Sequence, residues 1–473
     1  MSESGLSLPP LVTRLMDPAC YPGSVRDVKL IETHISYVLL AGEYAYKIKK
    51  PVDLGFLDFS TLEKRQHCCL EEVRLNRRLA PSLYLGVVGI GGTEAAPQLD
   101  AGEPIEYAVQ MRRFEQSAQL DRLLAAGRLE PAQLDAFAGL LADFHGQAAV
   151  AAQDSPFGTE TAVYAPVAEN FRALRAALPG GNFAAQLDAL EAASMTSFLA
   201  LRDRFAERKQ RGRVRECHGD LHLRNMAWID DQPVAFDCIE FSPALRWIDV
   251  MSDVAFLTMD LHARAEPGMA ARFLNLYLEE GGDYVGVALL SFYQAYRAMV
   301  RAKVDAIRLG QADLEQSERL QIEAECRRYL ELAAQYGKRR APWLMITRGP
   351  SGSGKTTLTE GLVDELGAIR IRSDVERKRL FGLRAGQSGA AEPGSGIYTS
   401  AAGRETYQKL LELAAGLLAA GVSVIVDAVF ADDEQRGAFA ELAGGMGLPY
   451  LIAEFAAPYA VLLERVRARS GDA

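Results

Sequence analysis

Apolar and polar residues alternate along the first stretch of the chain. VKLIETH, ISYVLL and YAYKIKK, within residues 27–50, read as three strands, the last two separated by the turn AGE. From about Ser60 to Leu79 the apolar positions recur at three- and four-residue spacing, which predicts a helix. LYLGVVGI and EYAVQMRRF return to strand, divided by the turn-rich GGTEAAPQLDAGEP. These elements predict a small sheet with one helix inserted after its third strand. Residues from about Leu120 to Arg208 are mostly helical in pattern, 216–241 are loop and strand, and long helices resume to about Tyr336.

After YGKRRAP (336–342), whose glycine, charge and proline suit a linker, the rhythm changes. WLMITR leads into a glycine loop and a helix. AIRI, VSVIVDAVF and LPYLIAEF follow as strands, each succeeded by a helix. This alternation predicts a parallel sheet with crossover helices.

A length of 473 residues fits two or three domains. The net charge of −10 argues against broad nucleic-acid binding. The basic run LRDRFAERKQRGRVRE (201–216) does not change that, because acids interleave it and no aromatic platform adjoins it; it reads as a solvated helix end. Six scattered cysteines, with Cys68 and Cys69 adjacent, form neither a disulfide framework nor a CxxC pair, which suits a reduced cytoplasm. The opening MSESGLSLPP lacks the basic and apolar regions of a signal peptide, and no apolar run approaches the roughly 20 residues of a membrane span. A cytoplasmic protein without a membrane partner is expected.

Two constellations carry chemistry. In the rear part Gly349, Pro350, Ser351, Gly352, Ser353, Gly354, Lys355 and Thr356 satisfy GxxxxGK[ST] between a predicted strand and a predicted helix, and Thr357 follows. The glycines let backbone N–H groups curl around phosphates at the positive end of the helix. Lys355 would reach the β and γ phosphates, and Thr356 would ligate Mg²⁺. Asp427, ending VSVIVD, stands where a Walker B carboxylate directed at Mg²⁺ belongs, or caps the next helix. Ala428 follows it rather than a glutamate, which favours transfer to a hydroxyl over hydrolysis. Asp374, in IRSDVERKRL, sits at a strand's carboxyl end as a candidate proton acceptor or as a helix cap. Arg465, Arg467 and Arg469 lie on the last helix, placed either to close over the γ-phosphate or on a solvated face.

In the front part Cys217, His218, Gly219, Asp220, Leu221, His222, Leu223, Arg224 and Asn225 precede VAFDCIEF, which carries Asp237. An aspartate, an asparagine five residues on and a strand ending in aspartate match the layout of phosphoryl transfer. Asp220 would orient and deprotonate the acceptor hydroxyl, and Asn225 and Asp237 would hold Mg²⁺ against ATP. His218 and His222, four residues apart, read as braces of the loop rather than a metal pair.

GPSGSGKTT, RSDVERKRL, VIVDA and ERVRAR resemble the small P-loop kinases of the gluconate-kinase and zeta-toxin type. Such kinases continue past their lid arginines, whereas this sequence stops at SGDA, so the rear domain is expected to lack its last elements. The H-G-D-x-H-x-x-N spacing resembles the aminoglycoside phosphotransferase and choline-kinase family, relatives of protein kinases. That resemblance implies a lysine on the third strand facing the α and β phosphates. Lys47 matches its A-x-K pattern best, while Lys49 shares the same strand face. The glutamate partner would come from the next helix, Glu72 in preference to Glu71, with the other on an exposed helix face. Asp249 matches the aspartate that steadies the catalytic loop in these relatives, or caps a helix. As in that family, no glycine triplet stands between the first two strands; GVVGIGG (86–92) reads as strand and turn.

The resemblances imply an α+β protein-kinase-like domain of the aminoglycoside phosphotransferase type, with lobes at 1–115 and 116–336. A linker at 337–342 and an α/β P-loop kinase domain at 343–473 would follow. The implied function is transfer of the ATP γ-phosphate to a small-molecule hydroxyl by the front domain, with ATP and Mg²⁺ required. Two rivals stand beside it: catalysis by the P-loop domain alone with a regulatory front domain, and a nucleotide-gated interaction module without turnover.

Overall fold

The computed structural model describes residues 8–469 except 56, 179–180, 311–313, 339–340, 388–396 and 398; the side chains of 181–182 and 466–469 also lie outside it. Part of the expected linker, residues 339–340, therefore falls outside the described chain. The chain forms two compact units, Met1–Leu129 with Glu216–Ile248, and Glu130–Arg215 with Asp249–Ala473.

In the first unit a short helix, Pro10–Arg14 (α1), precedes the strands Val28–Glu32 (β1), Ser36–Ala41 (β2) and Tyr44–Lys49 (β3). Leu62–Asn76 (α2) follows, capped by the Thr61 hydroxyl, which accepts the Lys64 N–H. Tyr84–Thr93 (β4), Ala96–Leu99 (β5) and Glu106–Arg112 (β6) complete an antiparallel sheet of order β1-β2-β3-β6-β4-β5. Strand β5 lies inside the segment read as a turn. Its Pro97 has no N–H to give a ladder, and the edge position it occupies tolerates that. Cys69 and Val73 of α2 pack with Tyr84, Val109 and Val234 in one apolar cluster, which fixes the helix over the sheet. After Leu120–Ala125 (α3) the chain leaves this unit, and it returns beyond Val214–Glu216 (β7). There Met226–Ile229 (β8) and Gln232–Ala235 (β9) make a hairpin. Asp230 and Asp231, at φ 50° and 57°, supply the left-handed pair that a two-residue turn requires. Pro243–Arg246 (α7 in chain order) and Trp247–Asp249 (β10) lead out again.

The second unit holds Pro131–Gln147 (α4), Glu160–Ala177 (α5), Gly181–Gln210 (α6), Val250–Ala263 (α8), Pro267–Gly281 (α9), Leu290–Leu309 (α10) and Gln316–Tyr336 (α11). The α/β segment belongs to the same unit. It runs Leu344–Arg348 (β11), Lys355–Leu366 (α12), Ile369–Arg372 (β12), Ser373–Leu380 (α13), Ser400–Ala419 (α14), Val424–Asp427 (β13), Asp433–Gly445 (α15), Tyr450–Glu454 (β14) and Tyr459–Arg469 (α16). Its four strands are parallel in the order β12-β13-β11-β14, as the strand–helix rhythm predicts. Ala271 of α9 shares an apolar cluster with Val363, Ala368 and Ile425, so a helix from the preceding segment helps to cover this sheet.

The basic run 201–216 departs from expectation. Arg208 is buried, with its guanidinium 2.5 and 2.6 Å from the Asp249 carboxylate and 2.8 Å from both Asp283 oxygens. Lys209 is buried too and donates to the Ser155 carbonyl. A buried cation needs such partners, and these lie far away in sequence. Arg202 and Arg211 do face solvent, each paired with a glutamate. Among the described residues no cysteine is joined in a disulfide. Among the described residues no helix is long and apolar enough to cross a membrane.

Candidate active site

The period of two places Lys47 and Lys49 on one face of β3, and the sheet presents both to α2. Glu72, fully buried, takes one lysine on each oxygen: Lys47 Nζ at 2.8 Å and Lys49 Nζ at 2.7 Å. Their other contacts separate the two. Lys47 also reaches Asp237 Oδ1 at 2.6 Å, whereas Lys49 turns inward to Glu240. Lys47 keeps 13% exposure of its side chain and Lys49 only 1%, so Lys47 is the one within reach of a ligand.

The electrostatics follow from burial and pairing. Burial pushes the Lys47 ammonium down, but Asp237 and Glu72 outweigh it and raise its pKa well above the ordinary value. Burial likewise pushes Glu72 up, and the two lysines reverse the sign, holding it below the usual carboxylate range. Glu240 goes the other way: its burial outweighs the pull of Lys49, and its pKa is raised. Glu71, expected on an exposed face, meets Arg74 and Arg246 instead.

The loop around Asp220 is fixed from several sides. Gly219 adopts φ 87°, and a Cβ there would stand 2.8 Å from the Leu245 carbonyl oxygen, so glycine is required. His218 Nε2 lies 2.9 Å from the Phe236 carbonyl oxygen, and its Nδ1 accepts the Asp220 N–H at 3.3 Å. Asn225 donates its amide to Asp220 Oδ2 and to the Asp220 carbonyl, both at 3.0 Å. His222 Nε2 stands 3.4 Å from the same Oδ2. The two histidines thus sit within the loop as braces. The Phe236 N–H donates to the Asn225 carbonyl at 2.9 Å, which ties this loop to the segment ending in Asp237. Asp237 itself is held at φ 62°, its N–H donating to the Tyr84 hydroxyl, and the next N–H donates to Asn76 Oδ1. Asp220, Asn225 and Asp237 offer oxygen donors only, a set that suits a hard cation such as Mg²⁺. Asp249 caps α8, accepting the Met251 N–H at 2.9 Å, and pairs with Arg208.

The second site lies where β11 runs into α12. Gly349 has φ 150°, and a Cβ on it would come within 2.3 Å of the Phe455 carbonyl oxygen. Gly354 provides the left-handed N-cap of α12. Thr356 donates its hydroxyl to Asp427 Oδ2 at 2.9 Å, bringing together the two residues expected at a metal. Lys355 Nζ donates to the carbonyls of Gly349 and Pro350 at 2.8 and 2.9 Å, folding back over the loop. Ser353 Oγ is buried without a hydrogen-bond partner among the described residues, an orphan that a phosphate oxygen would satisfy. Gly352 is buried, while Ser351 and Thr357 are exposed at the loop and the first turn of α12. Arg465 donates to the Gly352 carbonyl at 3.1 Å, so the last helix does reach the loop. The side chains of Arg467 and Arg469 lie outside the described residues. Asp374 sits in the first turn of α13, exposed, and pairs with Arg372 at 2.8 Å rather than capping the helix.

Comparison with known proteins finds one family model over each of the two sites. The model of the phosphotransferase enzyme family covers residues 69–290, and that of an AAA domain covers 344–473. Over 464 residues the chain is 33% identical to an uncharacterized protein of Mycobacterium tuberculosis, spanning 96% of this chain and 89% of that one, and a Mycobacterium bovis protein gives the same figures. The chain belongs to this phosphotransferase–AAA family. Its front region has the protein-kinase-like fold of the phosphotransferase family, and its rear region is an AAA-type domain with a parallel sheet. Partial structural likeness extends to a choline/ethanolamine kinase family protein from Mesorhizobium loti (12% identity, 69% of this chain and 98% of that one, TM-score 0.41). A Plasmodium vivax ethanolamine kinase gives 11% identity over 65% of this chain and 82% of that one, with a TM-score of 0.38.

Two residues of the phosphotransferase domain escape a reading of the sequence. Glu240 lies three positions after Asp237 in an apolar segment, and a carboxylate there signals a buried cation partner. Glu216 binds Arg74, Arg78 and Arg246 at once, an anchor without a local signal.

Proposed function

We propose that the phosphotransferase domain moves the γ-phosphate of ATP to a hydroxyl of a small molecule. The observation that carries this reading is the position of Lys47, whose ammonium bridges Glu72 and Asp237 beside a loop that fixes Asp220 and Asn225. In this reading Lys47 contacts the α and β phosphates, held by Glu72 so that it does not collapse fully onto Asp237. Asn225 and Asp237 would hold Mg²⁺, which would supply charge neutralisation at the phosphates. Asp220 accepts the proton of the acceptor hydroxyl as its oxygen bonds to the γ-phosphorus and the bond to ADP breaks. Asn225 and His222 aim the carboxylate through its Oδ2. The AAA domain is proposed as a second nucleotide site, with Lys355, Thr356 and Asp427 around the phosphates and Mg²⁺, Arg465 over the loop, and Asp374 toward an acceptor. We also propose a cytoplasmic location and no membrane partner.

Incubation with γ-labelled ATP and a pool of small metabolites tests it. Label in a phosphate ester of a small molecule is expected; label found only as inorganic phosphate would defeat the proposal. The two lysines give a sharper check. Lys47→Met is expected to lower kcat about 10²–10⁴-fold in the same assay, as loss of a positioned charge at the reacting phosphates does. Lys49→Met is expected instead to act mainly on stability, seen as a fall in the urea midpoint, because it leaves Glu240 buried without its cation.

A further inference from the structure

Helix α9 belongs to the segment matched by the phosphotransferase family, yet two of its side chains reach into the AAA domain. Strand β12 is the edge of the parallel sheet, with backbone groups that no neighbouring strand takes up. Asn275 fills that role. Its amide donates to the Ala368 carbonyl at 3.0 Å and accepts the Arg370 N–H at 2.6 Å, the pair of bonds an adjoining strand residue would make. One turn further, on the same helix face, stands Glu279. Its Oε1 takes Arg370 at 3.0 Å and its Oε2 takes Arg372 at 3.1 Å, and both Glu279 and Arg370 are buried.

Each arginine continues to a residue of the phosphate site. Arg370 donates from its second terminal nitrogen to the backbone carbonyl of Thr356 at 3.0 Å and lies 3.4 Å from Thr359 Oγ1. Arg372 continues to Asp374 at 2.8 Å. The Thr356 hydroxyl is the group bound to Asp427. One carboxylate on α9 therefore sets both guanidiniums, and through them the backbone of the Mg²⁺-directed threonine and the carboxylate at the strand end. Two guanidiniums this close would repel each other without it.

We infer that Glu279 is a positioning residue for the P-loop site, so that a helix of the phosphotransferase domain completes the nucleotide site of the AAA domain. This rests on the reading of the AAA domain as a nucleotide binder. It goes beyond that reading in placing part of the site's support outside the α/β segment. Pro267 starts α9 and Gly282, at φ 70°, ends it, so the helix is a defined, rigid carrier of the two side chains.

The test uses the full-length chain with Lys47→Ala, expected to weaken the front nucleotide site, and follows a fluorescent ATP analogue with and without Mg²⁺. Lys355→Ala in this background is the control for the P-loop itself. Adding Glu279→Gln is expected to weaken Mg-nucleotide binding roughly tenfold, the size of one displaced charge-assisted contact, and to weaken metal-free binding much less. A purely structural role would lower the melting temperature and leave the Mg²⁺ dependence as it was, which would overturn the inference. Should Glu279→Gln fail to fold, Arg370→Lys serves. It keeps the buried charge but cannot span Glu279 and the Thr356 carbonyl together, so the same loss is expected, and undiminished Mg-nucleotide affinity would sink the idea. If Lys355→Ala leaves binding unchanged, the P-loop reading fails; if only the Glu279 and Arg370 variants do, the positioning inference fails alone.

Discussion

Glu72→Ala is expected to destabilise the first unit by about 3–5 kcal/mol, the cost of breaking a buried ion pair from one side. The carboxylate is fully buried and serves two ammonium groups at 2.8 and 2.7 Å. Alanine removes both contacts and leaves Lys47 and Lys49 on adjacent positions of one strand face, facing each other's charge. Asp237 and Glu240 still hold one lysine each, which keeps the expected loss from doubling. Glu72→Gln keeps the volume and one acceptor oxygen and should lose less. Urea unfolding followed by tryptophan fluorescence, with Trp228 and Trp247 in this unit, measures both. A loss below about 1 kcal/mol for alanine would mean that the pairs are worth no more than surface salt bridges.

Asp220→Asn is expected to lower kcat for phosphoryl transfer about 10²–10⁴-fold, the range for loss of a positioned general base. The substitution keeps the shape and the bonds from Asn225 and His222 within reach, so the loop should persist. KM for ATP should change little, since Asp220 is assigned to the acceptor and not to the nucleotide. A rise in KM with kcat preserved would instead place Asp220 in ground-state binding.

Most of the architecture was open to the sequence because it is written in local patterns. The alternation in β2 and β3, the three-and-four spacing of α2 and the strand–helix rhythm after Tyr336 each depend on neighbouring residues alone. So did the P-loop, where glycine spacing and the following lysine and threonine specify a turn into a helix. Glu72 meets Lys47 while Glu71 meets Arg74, because only one of two adjacent helix positions can face the sheet.

What stayed hidden depends on partners distant along the chain. Lys47 and Lys49 are equivalent by periodicity, and only the placing of Asp237 and Glu240, nearly 200 residues on, tells them apart. The 201–216 run looked solvated because its buried members, Arg208 and Lys209, find Asp249, Asp283 and the Ser155 carbonyl across the fold. Strand β5 was concealed by Pro97, which an edge position permits. Asn275 and Glu279 carry no motif at all; their meaning comes from the open edge of β12 beside them.

We propose that transfer to a small-molecule hydroxyl occurs in the phosphotransferase domain and runs through Asp220. The most direct measurement is the rate of ester formation from γ-labelled ATP by the full-length chain, with Asp220→Asn and Lys355→Ala run beside the unmodified protein. Lys355→Ala is expected to retain the ester-forming rate and Asp220→Asn to lose it. Retention by Asp220→Asn with loss by Lys355→Ala would refute this proposal and move the chemistry to the AAA domain.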